Sequence, residues 1–297
     1  MAWIQNHEIE LLRTGRTTLH AISDMQIESG TCDRRLVRES IKEIADDPTG
    51  GLNIILGDIE DADRPTTRAR KIQTFGDRIE ALDQDGKIYK HYLDSKVVPL
   101  LLPLAKTRNG CLGILAGHHW KRLTSDLNSV QYICQRLTAL SGRKVPYLGQ
   151  MSSWIWIRFH FKKDPTKAIK KLIHVQHGVG GGQTLASALN RLEMTSRSMA
   201  GDLLIRAHDC KLVTAKFDRL YPKDSDTPTI LHKTIGLMNI GSFTRGYALG
   251  TGEPEYPEAA MMRPTTLGYG KAHFDVRFSK VHEDPSSNLR ADIKLEI

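Results

Sequence analysis

Short apolar runs that stop abruptly at polar residues are the main pattern along this chain. Such runs predict buried strands, because a strand covered on both faces reads as a continuous apolar segment. Five are predicted, at residues 17–22, 52–56, 111–116, 169–175 and 203–205. Between the first two, apolar residues recur at helical spacing, at Leu36, Val37, Ile41, Ile44 and Ala45. This β-α-β order predicts that ligands bind at the carboxyl ends of the strands.

Other segments follow a helical or a period-two pattern. Amphipathic helices are predicted around residues 130–140 and 185–199, where apolar residues recur every three or four positions. Alternation of apolar and polar residues predicts further strands, at residues 154–161, 272–278 and 292–297. Lys96–Leu104 mixes both signals, so its type stays open.

The order of these elements predicts how the chain is organised. We expect a single domain over residues 1–297, with a motif-bearing core at 17–215 and a β-rich C-terminal part at 216–297. A segment containing Gly and Tyr, Gly241 to Gly270, lies in the C-terminal part. Whether it closes over a site stays open.

The bulk composition is that of an ordinary globular protein. Of the 297 residues, 40% are hydrophobic and 26% are charged, which is typical of folded domains. No apolar run approaches the roughly 20 residues that a membrane helix needs, and the first residues lack the layout of a signal peptide. We therefore expect no membrane partner and a cytoplasmic location. The oligomeric state is not indicated.

The charge balance and the cysteines limit the classes of partner and of structural site that are expected. A net charge of +8 and a pI near 9.3 favour polyanionic partners, such as nucleic acid or phosphate-bearing substrates. A solvated basic surface is the alternative, since the one local concentration of basic residues is Arg64 to Lys71. The four cysteines show no CxxC pairing, so neither a disulfide framework nor a structural zinc knuckle is expected.

Carboxylate groups follow the first two predicted strands directly. Asp24 and Asp58 lie on either side of a helical crossover, so their carboxylates can face each other, and one shared oxygen can bridge two divalent ions. Taken alone, each is equally well explained as a helix cap or turn former. Five strands that all run into carboxylate, imidazole or thiol groups suggest one composite site.

Imidazole and thiol groups follow the other three strands. His118 and His119 are adjacent, so one can bind metal while the other faces a substrate. His177 opens a glycine run that permits close approach, with His174 as a competitor for the ligand role. That run lacks the GK[ST] ending of a nucleotide-binding P-loop.

The last polar cluster contains His208 and Cys210, two residues apart just beyond a strand. Imidazole and thiolate are both good ligands for zinc, iron and related ions. The alternative is a core cysteine beside a surface histidine.

The order of these clusters resembles the calcineurin-like metallophosphoesterases. The family pattern is D-x-H, G-D-x-x-D, G-N-H-[DE], a single histidine and G-H-x-H. The counterparts here read D-M-Q, G-D-I-E-D, G-H-H-W, H-G-V-G-G-G and A-H-D-C. The resemblance covers residues 17–215 in register, and residues 241–247 and 264–268 look like the C-terminal region of phage-type members. If the chain is phage-encoded, the expected cytoplasmic location is that of a host cell.

The resemblance implies an α/β (α+β) fold, a four-layer αββα sandwich of two mixed β-sheets flanked by helices. It also implies two divalent metal ions (Mn, Fe or Zn) bridged by Asp58. The implied ligands of the first ion are Asp24, Gln26, Asp58 and Cys210. Those of the second ion are Asp58, His118, His177 and His208. His119 would act as a general acid or contact the phosphate, Asp61 would order the loop, and Arg122 would contact the phosphate.

Several motif positions depart from the family pattern. Gln26 replaces an imidazole by a poorer amide ligand, Cys210 replaces a histidine and favours a softer ion, and His118 replaces an asparagine. Ala207 replaces a glycine where the backbone is expected to need an unusual dihedral angle. The implied activity is hydrolysis of a phosphomonoester or phosphodiester, including nucleic acid as a substrate. The alternatives are a catalytically degenerate binding or scaffold protein, and a nucleic-acid-binding protein that uses its basic surface alone.

Overall fold

The computed structural model describes residues 3–12, 14–61, 79–180, 184–223, 229–245, 266–278 and 289–296. The basic stretch at 64–71, the glycines at 181 and 182, and residues 246–265 of the 241–270 segment lie outside the described residues. The organisation of the chain as one domain stays a prediction.

The strands of the described residues form two mixed sheets. They are β1 (Trp3–Leu11), β2 (Arg16–Ile22), β3 (Leu52–Ile55), β4 (Cys111–Ile114), β5 (Ser152–Phe161), β6 (Asp164–Gln176), β7 (Leu203–Arg206), β8 (Val213–Lys223), β9 (Thr229–Asn239), β10 (Gly270–Phe278) and β11 (Leu289–Glu296). A six-stranded sheet has the order β1-β5-β6-β7-β9-β8, and a five-stranded sheet has the order β11-β10-β2-β3-β4.

The helices pack on the outer faces of both sheets. They are α1 (Arg34–Ala45), α2 (Ile79–Tyr92), α3 (Val98–Lys106), α4 (Ser129–Ser141) and α5 (Leu185–Ser198), with a π-helical segment at Leu93–Val97. Helix α1 begins where the Asp33 carboxylate accepts a hydrogen bond from the Leu36 amide at 3.1 Å. Helix α4 begins at a capping box formed by Asn128 and Gln131, which satisfies amide groups that the first helical turn leaves unbonded. None of the described helices is both long and apolar enough to cross a membrane.

The apolar core lies in three layers of contact between these elements. Residues of both sheets meet in the middle, where the Phe159 and Phe274 rings lie 5.1 Å apart. Ile41, Leu101 and Ile133 pack α1, α3 and α4 on the five-stranded sheet. Leu192 packs α5 on the outer face of the six-stranded sheet. The predicted four-layer αββα sandwich is confirmed.

Some elements differ from the pattern-based expectations. Strand β1, helix α2 and the hairpin of β8 and β9 were not predicted. Lys96–Leu104, which was ambiguous, is helical from the π-helical segment into α3. Its run of consecutive apolar residues has no period, so the pattern alone did not separate a helix from a strand.

The sheets place one set of loops at the same end of the sandwich. Strands β2, β3 and β4 run parallel to one another in one sheet, and β6 and β7 run parallel in the other. The polar clusters singled out in the sequence follow these five strands. The carboxyl ends of the strands therefore bring the candidate chemistry together.

Candidate metal centre

Four side chains from the loops after β3, β4, β6 and β7 converge on one point. Asp58, His118, His177 and His208 each offer a ligand atom, and these atoms all lie within 4.8 Å of one another. Within the part of the chain that the structure describes, this is the group of His, Cys, Asp or Glu side chains that could hold a metal ion. Asp58 and His118 come from the five-stranded sheet, and His177 and His208 come from the six-stranded sheet.

Asp58 is the best-anchored member of the group. Its Oδ1 accepts hydrogen bonds from the backbone amides of His118 at 2.6 Å and His119 at 2.9 Å. Its Oδ2 lies 3.0 Å from Nε2 of His177. Gly117 makes this possible, because a Cβ at that position would lie 2.3 Å from Asp58 Oδ1.

His177 is held in the orientation that a metal ligand needs. Its Nδ1 lies 2.6 Å from the carbonyl oxygen of Leu56. A carbonyl only accepts, so Nδ1 carries the hydrogen and donates it. Ligating histidines usually fix their ring in this way, with the second nitrogen turned towards the ion. The donor set and the ring orientation therefore fit a divalent ion.

The electrostatics of the group couple Asp58 to His177. Burial alone would raise the pKa of Asp58, but the facing His177 ring and its hydrogen bond outweigh burial and hold this pKa well below its usual range. For His177, burial would lower the pKa, yet the Asp58 and Asp24 carboxylates raise it to about 9. Metal binding at such a pair displaces the proton from the imidazole.

In the neighbouring groups burial decides the direction of the pKa shift. Burial raises the pKa of Asp24 to about 6 even though the His177 ring opposes the rise. Burial, with the His177 and His118 rings close by, lowers the pKa of His208 to about 3. Burial also raises the pKa of the Cys210 thiol well above its usual value, and Asp24 adds to the rise.

The backbone is strained at the predicted ligands. The non-glycine residues with a positive φ, among those described, are all predicted ligands: Asp24 (51°), Gln26 (41°), Asp58 (51°), His208 (75°) and Cys210 (50°). Each such conformation costs about 1–3 kcal/mol and is kept only where the surroundings enforce it. Here the Asp24 and Gln26 amides donate to the carbonyl oxygens of Gly57 and Asp58, at 3.1 and 3.0 Å.

The expectation for Ala207 was wrong. Ala207 is buried and is not among the residues with a positive φ. The unusual dihedral angle falls one residue later, at His208, whose amide donates to Asp24 Oδ2 at 3.2 Å. An alanine is therefore tolerated in place of the family's glycine.

The other predicted site residues lie around the group rather than in it. Asp24, Gln26 and Cys210 occupy the adjacent loops, and the Cys210 thiol donates to the carbonyl oxygen of its neighbour His208 at 3.4 Å. Nδ1 of His119 faces Asp61 Oδ1 at 3.3 Å. Arg122 is exposed, with a backbone bridge to Asn128.

His174, the competitor of His177, lies elsewhere. It is buried on β6 with its ring 4.7 Å from that of Trp154, and neither ring nitrogen has a hydrogen-bond partner among the described residues. Burial lowers the pKa of His174 to about 4. The structure therefore places His177, and not His174, among the converging side chains.

This burial predicts an acid-sensitive fold. The unfolded chain binds a proton at His174 near pH 6.5 and the folded protein near pH 4. The unfolded state thus holds more protons between these values, and the free energy of unfolding should fall by up to about 1.4 kcal/mol per pH unit as the pH drops through this window. Urea unfolding at several pH values measures this dependence, and the free energy of unfolding should change less steeply with pH in His174→Phe than in the unaltered protein.

His232→Gln, at an exposed histidine of β9, is the control and should keep the full pH dependence of the unfolding free energy. An equal pH dependence in all three proteins would contradict the assignment to His174.

Some residues that support the site were given no role by the sequence analysis. Gly117 and the Leu56 carbonyl position Asp58 and His177, and Asp209 is bound by Arg206 and Arg191 beside His208. The i, i+3 spacing of Arg206 and Asp209 just after an apolar run was an available signal for that ion pair.

Comparisons with known proteins add little beyond this geometry. No protein-family model matches the chain, and no curated protein matches it. Vps29 from Chaetomium thermophilum is 10% identical at a TM-score of 0.31, covering 94% of this chain and 95% of that chain. Vps29 from Entamoeba histolytica, in complex with Zn²⁺, is 10% identical at 0.33, covering 94% and 99%. GAP50, the anchor in the inner membrane complex of Plasmodium, is 8% identical at 0.38, covering 87% and 81%. At these TM-scores the likenesses carry no argument about function.

Proposed function

We propose that the chain is a metal-dependent phosphoesterase of the calcineurin-like class that hydrolyses a phosphomonoester or phosphodiester. The observation that carries this proposal is the convergence of Asp58, His118, His177 and His208 within 4.8 Å. These four residues are the ones that the motif resemblance assigns to a single ion. Their convergence on one point is a requirement of that assignment, and the described structure meets it.

The donor set suits a divalent transition ion. One carboxylate and three imidazoles are ligands that zinc, iron and manganese accept. A second ion would be held by Asp24, Gln26 and Cys210, with Asp58 shared between both. The strained conformations of these residues and the burial of Asp24 support this second half of the proposal.

The remaining residues would act on the substrate. Bound ions would supply Lewis acidity towards phosphoryl oxygens and lower the pKa of an attacking water. Asp61 holds the Nδ1 side of the His119 ring, so the proton given to the leaving oxygen would be carried on Nε2. Arg122, whose side chain is exposed, would bind phosphoryl oxygens.

A second candidate function is metal-dependent binding of a partner without hydrolysis. The observation that favours it is that Asp24 and Cys210 fall outside the four-residue group, while Gln26 supplies only a neutral amide. A protein that binds a single ion would keep a surface whose shape depends on that ion. It would lack the second ion, which would otherwise stabilise charge on the phosphoryl group. The same experiment separates the two candidates.

The direct test is metal analysis of the purified protein together with hydrolysis of an aryl phosphate monoester and diester. Added Mn²⁺ or Zn²⁺ should restore turnover after chelation. His119→Gln should lower kcat by about 10²–10⁴-fold, the usual range for a general acid, with metal content unchanged. His91→Gln, at an exposed histidine at the end of α2, should match the unaltered protein.

Three outcomes decide between the candidates. Bound metal with turnover that depends on His119 supports the phosphoesterase. Bound metal without turnover on either ester or on single-stranded DNA and RNA supports the binding function. The oligonucleotides belong in the panel because the net charge of +8 favours a polyanionic substrate. Absence of any bound divalent ion overturns both.

A further inference from the structure

A buried aspartate separates two of the proposed ligands. Asp209 lies between His208 and Cys210, and its side chain is 1% exposed. Its Oδ2 accepts a hydrogen bond from Nε of Arg206 at 2.9 Å, and its Oδ1 accepts one from Nη1 of Arg191 at 2.6 Å. A carboxylate this deeply buried needs such partners to offset its loss of hydration. The motif resemblance assigns it no role.

The same two arginines also hold the loop that follows His177. Nη2 of Arg206 donates to the carbonyl oxygen of Val179 at 3.1 Å. Nη1 of Arg191, which belongs to α5, donates to the carbonyl oxygen of Gly180 at 2.6 Å. The Arg206 guanidinium lies so close to Gly178 that a Cβ there would meet its Cζ at 2.4 Å. One aspartate and two arginines thus tie together the loops that carry His177 and His208.

We propose that Asp209, Arg206 and Arg191 form a clamp that positions His208 relative to His177 for metal binding. The proposal rests on the proposed function, because it gives the clamp its purpose. None of the three residues is a ligand; they act through the two histidines, whose ring centroids lie 5.2 Å apart. We refer to these three residues as the Asp209 clamp.

The strained backbone around Asp209 explains why a clamp is needed. His208 and Cys210 both have a positive φ, a conformation that relaxes unless neighbouring contacts enforce it. Nζ of Lys211 adds a hydrogen bond to the carbonyl oxygen of Asp209 at 3.1 Å. The planar guanidinium groups suit this task, since each presents several donors in a rigid fork. Each clamp arginine makes two of these bonds, one to each loop.

Arg191→Gln is the primary test, because the Arg191 side chain is 29% exposed and its removal leaves Arg206 paired with Asp209. Zinc affinity is measured on the metal-free protein by competition with a chromophoric chelator, alongside the visible spectrum of the Co²⁺-loaded protein. We expect zinc affinity to fall by about 10–100-fold, the range for residues that orient ligands, and the Co²⁺ spectrum to shift. Arg191→Lys should recover part of the affinity, since it keeps the charge.

Arg197→Gln is the matched control on the same helix. Arg197 is 72% exposed and pairs with Glu193 rather than with the loops. Zinc affinity and the Co²⁺ spectrum should stay unchanged in this variant. Asp209→Asn serves as a second variant, and its folding is checked first by circular dichroism because it leaves two guanidinium groups facing a neutral amide.

The outcomes separate the clamp from the function it serves. If Arg191→Gln melts at a lower temperature but keeps the zinc affinity and Co²⁺ spectrum of the unaltered protein, the three residues only stabilise the fold. The clamp is then overturned while the proposed function stands. If the unaltered protein itself binds no zinc, cobalt or manganese, the proposed function fails and the clamp fails with it.

Discussion

Asp58→Asn is expected to abolish metal binding and, with it, hydrolysis. Asp58 is the one carboxylate of the converging group, and both of its oxygens are engaged, one by two backbone amides and the other by His177. Asparagine can still accept the amide hydrogen bonds, so the loop should keep its shape. What it removes is the negative charge. Loss of several kcal/mol of electrostatic stabilisation corresponds to a fall of about 10³-fold in kcat/KM.

Metal content and turnover are measured on Asp58→Asn beside Asp218→Asn. Asp218 is an exposed aspartate of β8 that accepts a hydrogen bond from Thr234 at 2.6 Å, so its replacement removes the same charge far from the loops. Only the Asp58 variant should lose metal. An Asp58→Asn protein that retains bound metal at the level of the control would remove the central ligand from the proposal.

Gly117→Ala should have the second-largest effect, although glycine carries no chemistry of its own. Gly117 has a φ of +76°, and an added Cβ would lie 2.3 Å from Asp58 Oδ1 and 2.8 Å from the Asp58 amide nitrogen. The left-handed conformation alone costs an alanine roughly 1–2 kcal/mol. The contact with Asp58 comes in addition and pushes the carboxylate out of place. We expect both a less stable protein and a loss of zinc affinity of at least about tenfold, as for misplaced ligands.

Gly110→Ala separates the two causes. Gly110 has the same φ of +76°, but a Cβ there would meet nothing within 4 Å. Urea unfolding should therefore show a comparable backbone penalty, while chelator competition should show unaltered zinc affinity. If Gly117→Ala also kept its zinc affinity, the close approach of Gly117 to Asp58 would not matter for the site.

Much of the fold could be predicted because strands buried on both faces give continuous apolar runs in the sequence. Leu52–Ile55 and Leu203–Arg206 are buried throughout, and a strand covered on both faces contains few polar residues to confuse the pattern. Strand β1 was harder. It is an edge strand, and its exposed face carries Glu8 and Glu10 while Ile9 and Leu11 point into the core. Charges on an edge strand blunt pairing with other chains, and they also weaken the apolar signal.

The site could be predicted as far as its residue types and their order allowed. The position of Asp58 and the histidines after strands was enough to propose that they meet. Two things depended on geometry that no local pattern carries. Arg191 reaches Asp209 from a helix 18 residues earlier in the chain. The φ angle of Ala207 depends on how the loop turns, and the loop places its strain at His208 instead.

The origin of the four converging side chains has a mechanical consequence. Two of them follow strands of one sheet and two follow strands of the other. An ion bound by all four would therefore connect the two sheets directly. The other contacts between the sheets are mostly apolar, with polar exceptions such as Nδ1 of His177 on the Leu56 carbonyl oxygen, and apolar attraction has no preferred direction. Binding of the ion would add directional bonds between the two sheets, and the protein would gain rigidity at the end of the sandwich where these loops lie.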